Sequence, residues 1–290
     1  MNRCFAFICA LLFAFISVSS ACMAAPSDRI RFNLEQRRGS NEINASFENQ
    51  NGHRDQSHWS SGFKPSDLIG LNVTGFYSAG SKPLRFAVVR QAGRLDCAGN
   101  GGSSRASGNC GFTADAAFDQ LLAARGIGHP TREQSIGMMA LDVHRGLVDA
   151  VAAARYPTPT VDNLMAMTAV GVTSGYIGEL AHDGYRPKSI DSLVQFKALE
   201  ITPQWIGGLA HIGYANLPSD QLMQLKALDI SADFISGFDR LGYRHLPVDR
   251  LVQLKALDIT PEFARSAAGQ GRPLPSVDQL VQMKMFGRRR

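Results

Sequence analysis

The chain has 290 residues, of which 44% are hydrophobic and 19% are charged. This composition excludes a collagen-like, fibrous or wholly disordered chain. The formal net charge of +5 would favour a nucleic-acid partner, but Arg3 and Arg288–Arg290 at the two ends supply most of it. Without them the net charge is +1. The rest of the chain lacks the basic surface that binds phosphate backbones, so we expect no nucleic-acid partner.

Residues 1–25 have the pattern of a secretory signal peptide. Arg3 precedes an apolar run of fourteen residues from Phe5 to Val18, and small residues follow it. Such a run is too short to cross a hydrocarbon core of about 30 Å as a helix. The pattern predicts a periplasmic or secreted protein with no transmembrane segment after the signal is removed. An uncleaved anchor, or a lipoprotein anchored through Cys22, is the alternative.

The cysteines agree with export. Three of the five fall within the predicted signal peptide, which leaves Cys97 and Cys110. In an oxidising compartment two cysteines that close a short loop most simply form a disulfide, worth about 3 kcal/mol. A metal-binding pair is the alternative, but no C-x-x-C motif or nearby histidine completes a site. We therefore expect a disulfide, and no metal or cofactor.

From residue 133 onward the sequence repeats itself every 29 residues. The text DQLMQLKALDISADFISGF, for example, returns in similar form as DRLVQLKALDITPEFARSA. Chance does not align so many residue types over several copies. The units start near residues 133, 162, 191, 220 and 249, and a partial unit starts near 278.

Each unit has the pattern of two helices joined by a tight turn. Leu193 and Phe196 belong to the apolar stripe of a first helix. Thr202 and Pro203 then provide an N-cap hydroxyl and a proline at the first helical position of a second helix. We expect that helix to end at a left-handed glycine, Gly184, Gly213 or Gly242 in successive units. Two short helices cannot bury both faces alone, so residues 127–290 are predicted to stack as a solenoid-like array.

Residues 26–126 are predicted to form a small β-rich domain with one helix and a disulfide loop. Arg29–Glu35, Glu42–Glu48 and Leu84–Arg90 alternate apolar and polar residues as strands do. The polar stretch Asn49–Ser61 is predicted to be a loop, and Ala114–Arg125 a helix ended by a glycine. The fold class is therefore α+β, with the β-rich domain first and the α-helical repeats after it.

The repeats resemble a known group of sequences. The phrases ALDITPEF and LGYRHLPVDRLVQLKALDIT are similar to the 29-residue helical repeats (GVTPEYI…LGY) of bacterial exported proteins and of periplasmic parts of some BlaR1-type sensor proteins. The resemblance implies a helical architecture and a cell-envelope setting, with no activity attached. The zinc-peptidase module of those sensors depends on HExxH, which this sequence lacks.

Short matches to catalytic motifs occur in the β-rich part. Ser61 and Lys64 match S-x-x-K, and Ser107 and Asn109 match S-x-N, two of the three signatures of serine β-lactamases and penicillin-binding proteins. The third, K-[ST]-G, is absent, so chance matches are the better interpretation. The glycine run Gly99–Gly102 is interpreted as a flexible hairpin tip rather than an anion site.

Three series of side chains recur along the repeats. The row Lys197, Lys226, Lys255 and Lys284 is a candidate partner-binding surface, but acids three residues after the first three lysines should pair with them and leave only Lys284 unpaired. His182 and His211 stand a repeat apart, so we expect surface histidines rather than a zinc site. The aromatic series Trp205, Phe234 and Phe263 is expected to pack in the core.

The sequence favours a non-enzymatic periplasmic or secreted protein-interaction module, which would suit a regulatory role in the bacterial cell envelope. Repeat arrays supply extended binding surfaces, and the search for catalytic groups found none that is complete. The expected partner is another envelope or secreted protein. The alternative is an envelope hydrolase or carbohydrate-binding protein with its site in the β-rich domain, around Ser61–Lys64 and Arg90–Cys110.

Overall fold

The structure, a computed structural model, describes residues 30–36, 39–49, 58–268 and 273–287. The predicted signal peptide and the terminal arginines 288–290 lie outside these residues. The described part has a six-stranded antiparallel sheet followed by many helices, so the predicted α+β class is confirmed. None of the described helices has the length and apolar content needed to cross a membrane.

The sheet has the strand order β3-β2-β1-β6-β5-β4. Alternate residues of each strand face the core, as Ile30, Phe32 and Leu34 do in the first strand. On the core side of the sheet, the rings of Phe32 and Phe86 pack edge to face with their centres 4.9 Å apart. The strands are β1 Ile30–Gln36, β2 Ile43–Asn49, β3 His58–Phe63, β4 Lys82–Arg90, β5 Gly93–Gly102 and β6 Arg105–Ala114.

The predicted loop Asn49–Ser61 is wrong at its C-terminal end, because strand β3 begins at His58. The text HWSSGF lacks the aliphatic residues that usually mark a strand. Pairing with β2 compensates for this, since Trp59 lies opposite Phe47 and the two rings stack at 5.3 Å. Residues 50–57 of the predicted loop lie outside the described residues.

The glycine run between the cysteines is also not a flexible tip. Gly99–Gly102 belongs to β5 and pairs along its length with β6. A side chain at the facing Gly108 would place its Cβ 2.7 Å from the Phe32 ring, so glycine gives this ring the space it needs. The turn itself is anchored, because the Ser103 N–H donates to the Ser78 carbonyl at 2.7 Å.

Two helices precede the repeats. Helix α1, Val73–Tyr77, packs on the sheet and buries Phe76. Helix α2, Ala116–Ala124, begins where the Asp115 carboxylate accepts a hydrogen bond from the Phe118 N–H at 2.7 Å. It matches the predicted helix closely, and the predicted domain boundary after residue 126 falls in the link that follows it.

The five full repeat units each contain a first and a second helix, the described part of the last unit has a first helix, and equivalent helices begin 29 residues apart from α3 onward. The first helices are α3 Arg132–Leu141, α5 Val161–Ala169, α7 Ile190–Ala198, α9 Ser219–Ala227, α11 Val248–Ala256 and α13 Val277–Phe286. The second helices are α4 Arg145–Ala153, α6 Ser174–His182, α8 Pro203–His211, α10 Ala232–Leu241 and α12 Pro261–Ala268.

The helix ends follow the sequence signals. The Thr202 hydroxyl accepts a hydrogen bond from the Trp205 N–H at 3.2 Å, so Thr202 is the N-cap of α8 as predicted. Gly184, Gly213 and Gly242 have φ angles of 78°, 94° and 108°. These values confirm that the second helices are followed by left-handed glycines.

The sheet and the first unit are joined through Arg90 at the end of β4. Its guanidinium donates hydrogen bonds to the carbonyls of Met139 and Ala140 at 2.8 and 2.7 Å, at the C-terminal end of α3. The same group lies 5.5 Å from the centre of the Phe63 ring on β3, so a side chain of one edge strand contacts the other edge strand here. One continuous hydrophobic core includes residues from Ile30 in the sheet to Leu251 in the repeats.

Candidate functional site

The first helices of successive units lie side by side, so equivalent positions along them form rows. Each of α3, α5, α7, α9 and α11 contacts the next first helix along the chain. Residues 29 apart therefore occupy matching places in neighbouring helices. A side chain that recurs at one position is presented once per unit.

The lysine row is used inside the protein. Each ammonium group lies over an aromatic ring on the second helix of the preceding unit, and the pairs are Lys197–Tyr176 at 4.8 Å, Lys226–Trp205 at 5.4 Å, Lys255–Phe234 at 5.3 Å and Lys284–Phe263 at 5.1 Å. A cation this close to a ring face is attracted to it. The row therefore links neighbouring units, and it is not a free basic surface.

The predicted pairing of the first three lysines with acids three residues later is not found, because among the described residues none of these three forms an ion pair with that acid. Asp229 and Asp258 lie beyond the ends of their helices, in left-handed backbone with φ angles of 51° and 52°. Lys255 and Lys284 donate hydrogen bonds to the backbone carbonyls of these aspartates, in the preceding unit, at 2.8 and 2.6 Å. Lys284, which was expected to be unpaired, also lies 3.1 Å from the Asp258 carboxylate.

Tyrosines that follow the second helices also connect the units. The Tyr214 hydroxyl donates to the Leu246 carbonyl at 2.7 Å, and the Tyr243 hydroxyl donates to the Pro275 carbonyl at 2.6 Å. Burial, together with the nearby Asp239 carboxylate, raises the pKa of Tyr214 to about 12. At neutral pH the phenol is therefore protonated and donates its hydrogen bond.

The outward side of the first helices carries the same residue types in three consecutive units. We call this surface the amide face, and it consists of Asp191, Gln195, Ala198, Asp220, Gln224, Ala227, Asp249, Gln253 and Ala256. All of these residues are exposed except Gln253, which is half-buried. Spacings of four and then three residues place each set on one side of its helix. The partial unit continues the face with Asp278 and Gln282, both exposed.

Exposed positions on the second helices do not recur in this way. The position of Gln204 in α8 is taken by Asp233 and Glu262 in the next two units, and that of His211 by Arg240. These side chains are exposed, as those of the amide face are, so exposure alone does not explain the difference. An acid in a first helical turn interacts well with the helix dipole, and alanine favours helix. Glutamine also favours helix, but lysine, arginine and glutamate favour it equally, so helix propensity does not select glutamine over them in three consecutive units.

The catalytic-motif matches in the β-rich part are not brought together. Ser61 pairs with the buried Ala45, on the core side of the sheet, whereas Ser107 and Asn109 are exposed on the opposite side. Lys64 lies beyond the end of β3, where its backbone N–H donates to the Asp67 carboxylate at 3.1 Å. The two motifs therefore face opposite sides of one sheet and cannot act on one substrate.

A groove of about 710 Å³ lies between the edge strands and the start of the repeats. In it, Nε2 of His144 lies 3.3 Å from the Asp142 carboxylate, whose other oxygen is 3.8 Å from Arg90. Burial lowers the pKa of the Arg90 guanidinium, and Asp142 acts in the opposite direction. Since Arg90 is bound to helix α3, this cluster serves to hold the sheet to the first unit.

A second imidazole–carboxylate pair joins α2 to the following link. Nδ1 of His129 lies 3.0 Å from the Asp119 carboxylate. Among the described residues, no serine, threonine or cysteine side chain is bonded to His129 or His144. In this structure both pairs are therefore surface imidazole–carboxylate contacts without an attached nucleophile.

The cysteines lie in register on β5 and β6. Their Sγ atoms are 2.00 Å apart, the separation of a disulfide bond. Both Cys97 and Cys110 are buried on the core side of the sheet. The pair therefore joins the two strands from inside and does not present a loop to a partner.

The remaining predicted residues lie apart from one another. His182 and His211 are exposed at the ends of α6 and α8, and no group of three or more potential metal ligands is found among the described residues. The rings of Trp205, Phe234 and Phe263 are half-buried, each with one face under a lysine. They contribute to the contacts between units.

The amide face was missed at the level of sequence, although its signal is visible there. One residue separates each of Gln195, Gln224 and Gln253 from a Lys-Ala pair. Each glutamine lies outside the apolar stripe of its helix. Glutamine is uncharged and does not belong to the apolar stripe, so the pattern of charge and hydropathy does not mark these positions.

No protein-family model, curated protein or solved structure matches the chain.

Proposed function

We propose that this protein is a non-enzymatic protein-interaction module of the bacterial cell envelope, exported to the periplasm or secreted, which binds another envelope or secreted protein. The observation that carries this proposal is the amide face, a surface repeated in three units at exposed positions where the fold does not require glutamine. A regulatory role would suit such a module, because binding one partner alters that partner's availability to others.

In this proposal the units act together as a solenoid-like array. Lysine–ring contacts and tyrosine hydrogen bonds between units support it, because they fix neighbouring units in one repeated arrangement. A repeated arrangement is what turns one exposed residue per unit into an extended binding surface.

Export is supported by the leader pattern and by the pairing of Cys97 with Cys110. Fractionation of expressing cells tests it, with thiol labelling of the unfolded protein before and after reduction. We expect a periplasmic or extracellular protein whose Cys97 and Cys110 react only after reduction. A cytoplasmic protein with two reactive thiols would contradict the proposal.

Affinity capture from envelope extract tests the interaction itself. The exported protein is compared with the variant Gln195→Arg/Gln224→Arg on the amide face and with the matched variant Gln204→Arg on a second helix. We expect an envelope protein that binds the purified wild type and Gln204→Arg equally and loses binding to the double variant. Failure of every variant and of the wild type to bind any envelope protein would contradict the proposed function.

A further inference from the structure

We infer that the amide face binds an extended, basic polypeptide segment of the partner, with about three residues of that segment on each repeat unit. This inference rests on the proposed function and specifies its binding surface and the chemistry of what it recognises.

The glutamines point to a polypeptide backbone. A side-chain amide has both donor hydrogens and an acceptor oxygen, so it can bond to a backbone C=O and N–H together. The side-chain amides of Gln195 and Gln224 have no hydrogen-bond partner among the described residues. The side-chain oxygen of Gln253 accepts a hydrogen bond from Arg250 at 2.8 Å. The side-chain N–H donors of Gln253 have no partner among the described residues.

The spacing of the units suits an extended chain. Neighbouring packed helices are usually about 8–10 Å apart, and an extended polypeptide rises about 3.3 Å per residue. One glutamine would therefore meet roughly every third residue of a segment laid across the first helices. The exposed alanines at Ala198, Ala227 and Ala256 let such a segment approach closely, since they add little bulk above the helix surface.

The charges select a basic segment. The carboxylates of Asp191, Asp220 and Asp249 have no ion-pair or hydrogen-bond partner among the described residues. Arg250, which follows Asp249 in the chain, is already bound to Asp278 at 2.8 Å. The neighbouring lysines are held over aromatic rings by their own contacts. The face is therefore acidic, with one unpaired negative charge per unit, and a lysine or arginine at every third residue of the partner would complement it.

A nucleic acid or another polyanion does not fit this surface, because the unpaired charges on it are negative. A neutral polysaccharide would satisfy the glutamines but would leave the three aspartates unpaired. A basic polypeptide would bond to the row of glutamines through its backbone and to the row of aspartates through its cationic side chains.

Fluorescence anisotropy with synthetic peptides tests the inference on the full exported protein. The probe is a labelled twelve-residue peptide with lysine at every third position. Its controls are the same peptide with glutamate in place of lysine, and the lysine peptide with N-methylated backbone amides facing the protein. We expect the lysine peptide to bind, and both controls to bind at least tenfold more weakly, because one loses charge complementarity and the other loses its backbone donors.

Protein variants test the contributions of the glutamine row and the aspartate row separately. We expect Gln195→Leu/Gln224→Leu to weaken binding of the lysine peptide about tenfold, the effect of losing a few hydrogen bonds. The variant Asp191→Asn/Asp220→Asn/Asp249→Asn should weaken it and reduce its dependence on salt. Gln204→Leu, which changes an exposed glutamine on a second helix, should bind as the wild type does. Circular dichroism checks that each variant is folded.

Three results would overturn the inference: no binding of the lysine peptide by the wild type, equal binding of the glutamate peptide, or unchanged binding by the glutamine variant. If an envelope protein still bound the wild type in the capture experiment, the proposed function would survive while this account of its surface failed.

Discussion

The ammonium nitrogen of Lys255 lies 5.3 Å from the centre of the Phe234 ring, which belongs to the preceding unit. The contact recurs in four consecutive units, so the lysines act as links within the protein. Because these lysines are engaged, the acidic amide face beside them is left as the open surface of the first helices.

The Lys255–Phe234 contact should contribute measurably to stability. In a double-mutant cycle of Lys255→Met and Phe234→Leu, we expect a coupling free energy of about 0.5–1 kcal/mol from urea unfolding, the usual range for a partly exposed cation over a ring. Lys188→Met, at an exposed lysine in a link, is the control and should show no coupling with Phe234→Leu. A coupling of zero for Lys255 would mean that the ring contact does not stabilise the junction.

Two glycines at equivalent places in neighbouring units should respond to alanine in opposite ways. At Gly208 in α8 a Cβ would meet nothing within 4 Å, whereas at Gly237 in α10 it would lie 2.6 Å from Cγ of Pro261. Gly208→Ala should raise the free energy of unfolding by up to about 1 kcal/mol through helix propensity. Gly237→Ala should lower it by about 1–3 kcal/mol through overpacking. Equal effects in thermal unfolding would show that the two units do not pack as described.

Arg90 should make the sheet and the repeats unfold together, in one cooperative transition. The chain has two tryptophans, and they report separately on the two parts, Trp59 on the sheet and Trp205 on the repeats. In single-tryptophan variants made with phenylalanine we expect coincident unfolding curves. Adding Arg90→Ala should separate the curves and cost about 2–3 kcal/mol, since charged hydrogen bonds to the Met139 and Ala140 carbonyls are lost. Curves that stay coincident after this change would contradict the role given to Arg90.

Tyr214 should make the free energy of unfolding depend on pH in the alkaline range. Its pKa is about 12 in the folded protein and about 10 in an unfolded chain, so the folded state favours the protonated phenol. The stability it contributes is fully present below pH 10 and is lost as pH rises towards 12. We expect the difference in unfolding free energy between wild type and Tyr214→Phe to be constant from pH 7 to 9 and to shrink above pH 10. A difference that does not change with pH would contradict the buried hydrogen bond.

Local features were predictable from sequence, and contacts between units were not. The cap at Thr202 and the left-handed Gly213 depend on residues a few positions away, so their signals lie within one short stretch. The place of Lys255 over Phe234 depends on how one unit stacks on the next, which the spacing of residues does not reveal. The nearest acid in sequence was therefore chosen as its partner.

The strands show the same division. Leu84–Arg90 is rich in aliphatic residues and was recognised, whereas His58–Phe63 is a strand because β2 pairs with it. The glycines of β5 were interpreted as a flexible tip because glycine is common in turns. Their lack of side chains in fact lets strand β6 and the Gly80 carbonyl approach them closely, and this depends on residues outside the run.

Site-specific photo-crosslinking in living cells tests the central claim most directly, that a protein partner lies on the amide face. A photoreactive amino acid replaces Gln224 on the amide face, and in separate strains Gln204 on a second helix and Ser107 on the outer side of the sheet. We predict a crosslinked envelope protein from position 224 and little or none from positions 204 and 107. Crosslinking from position 107 or 204 with none from position 224 would contradict the account.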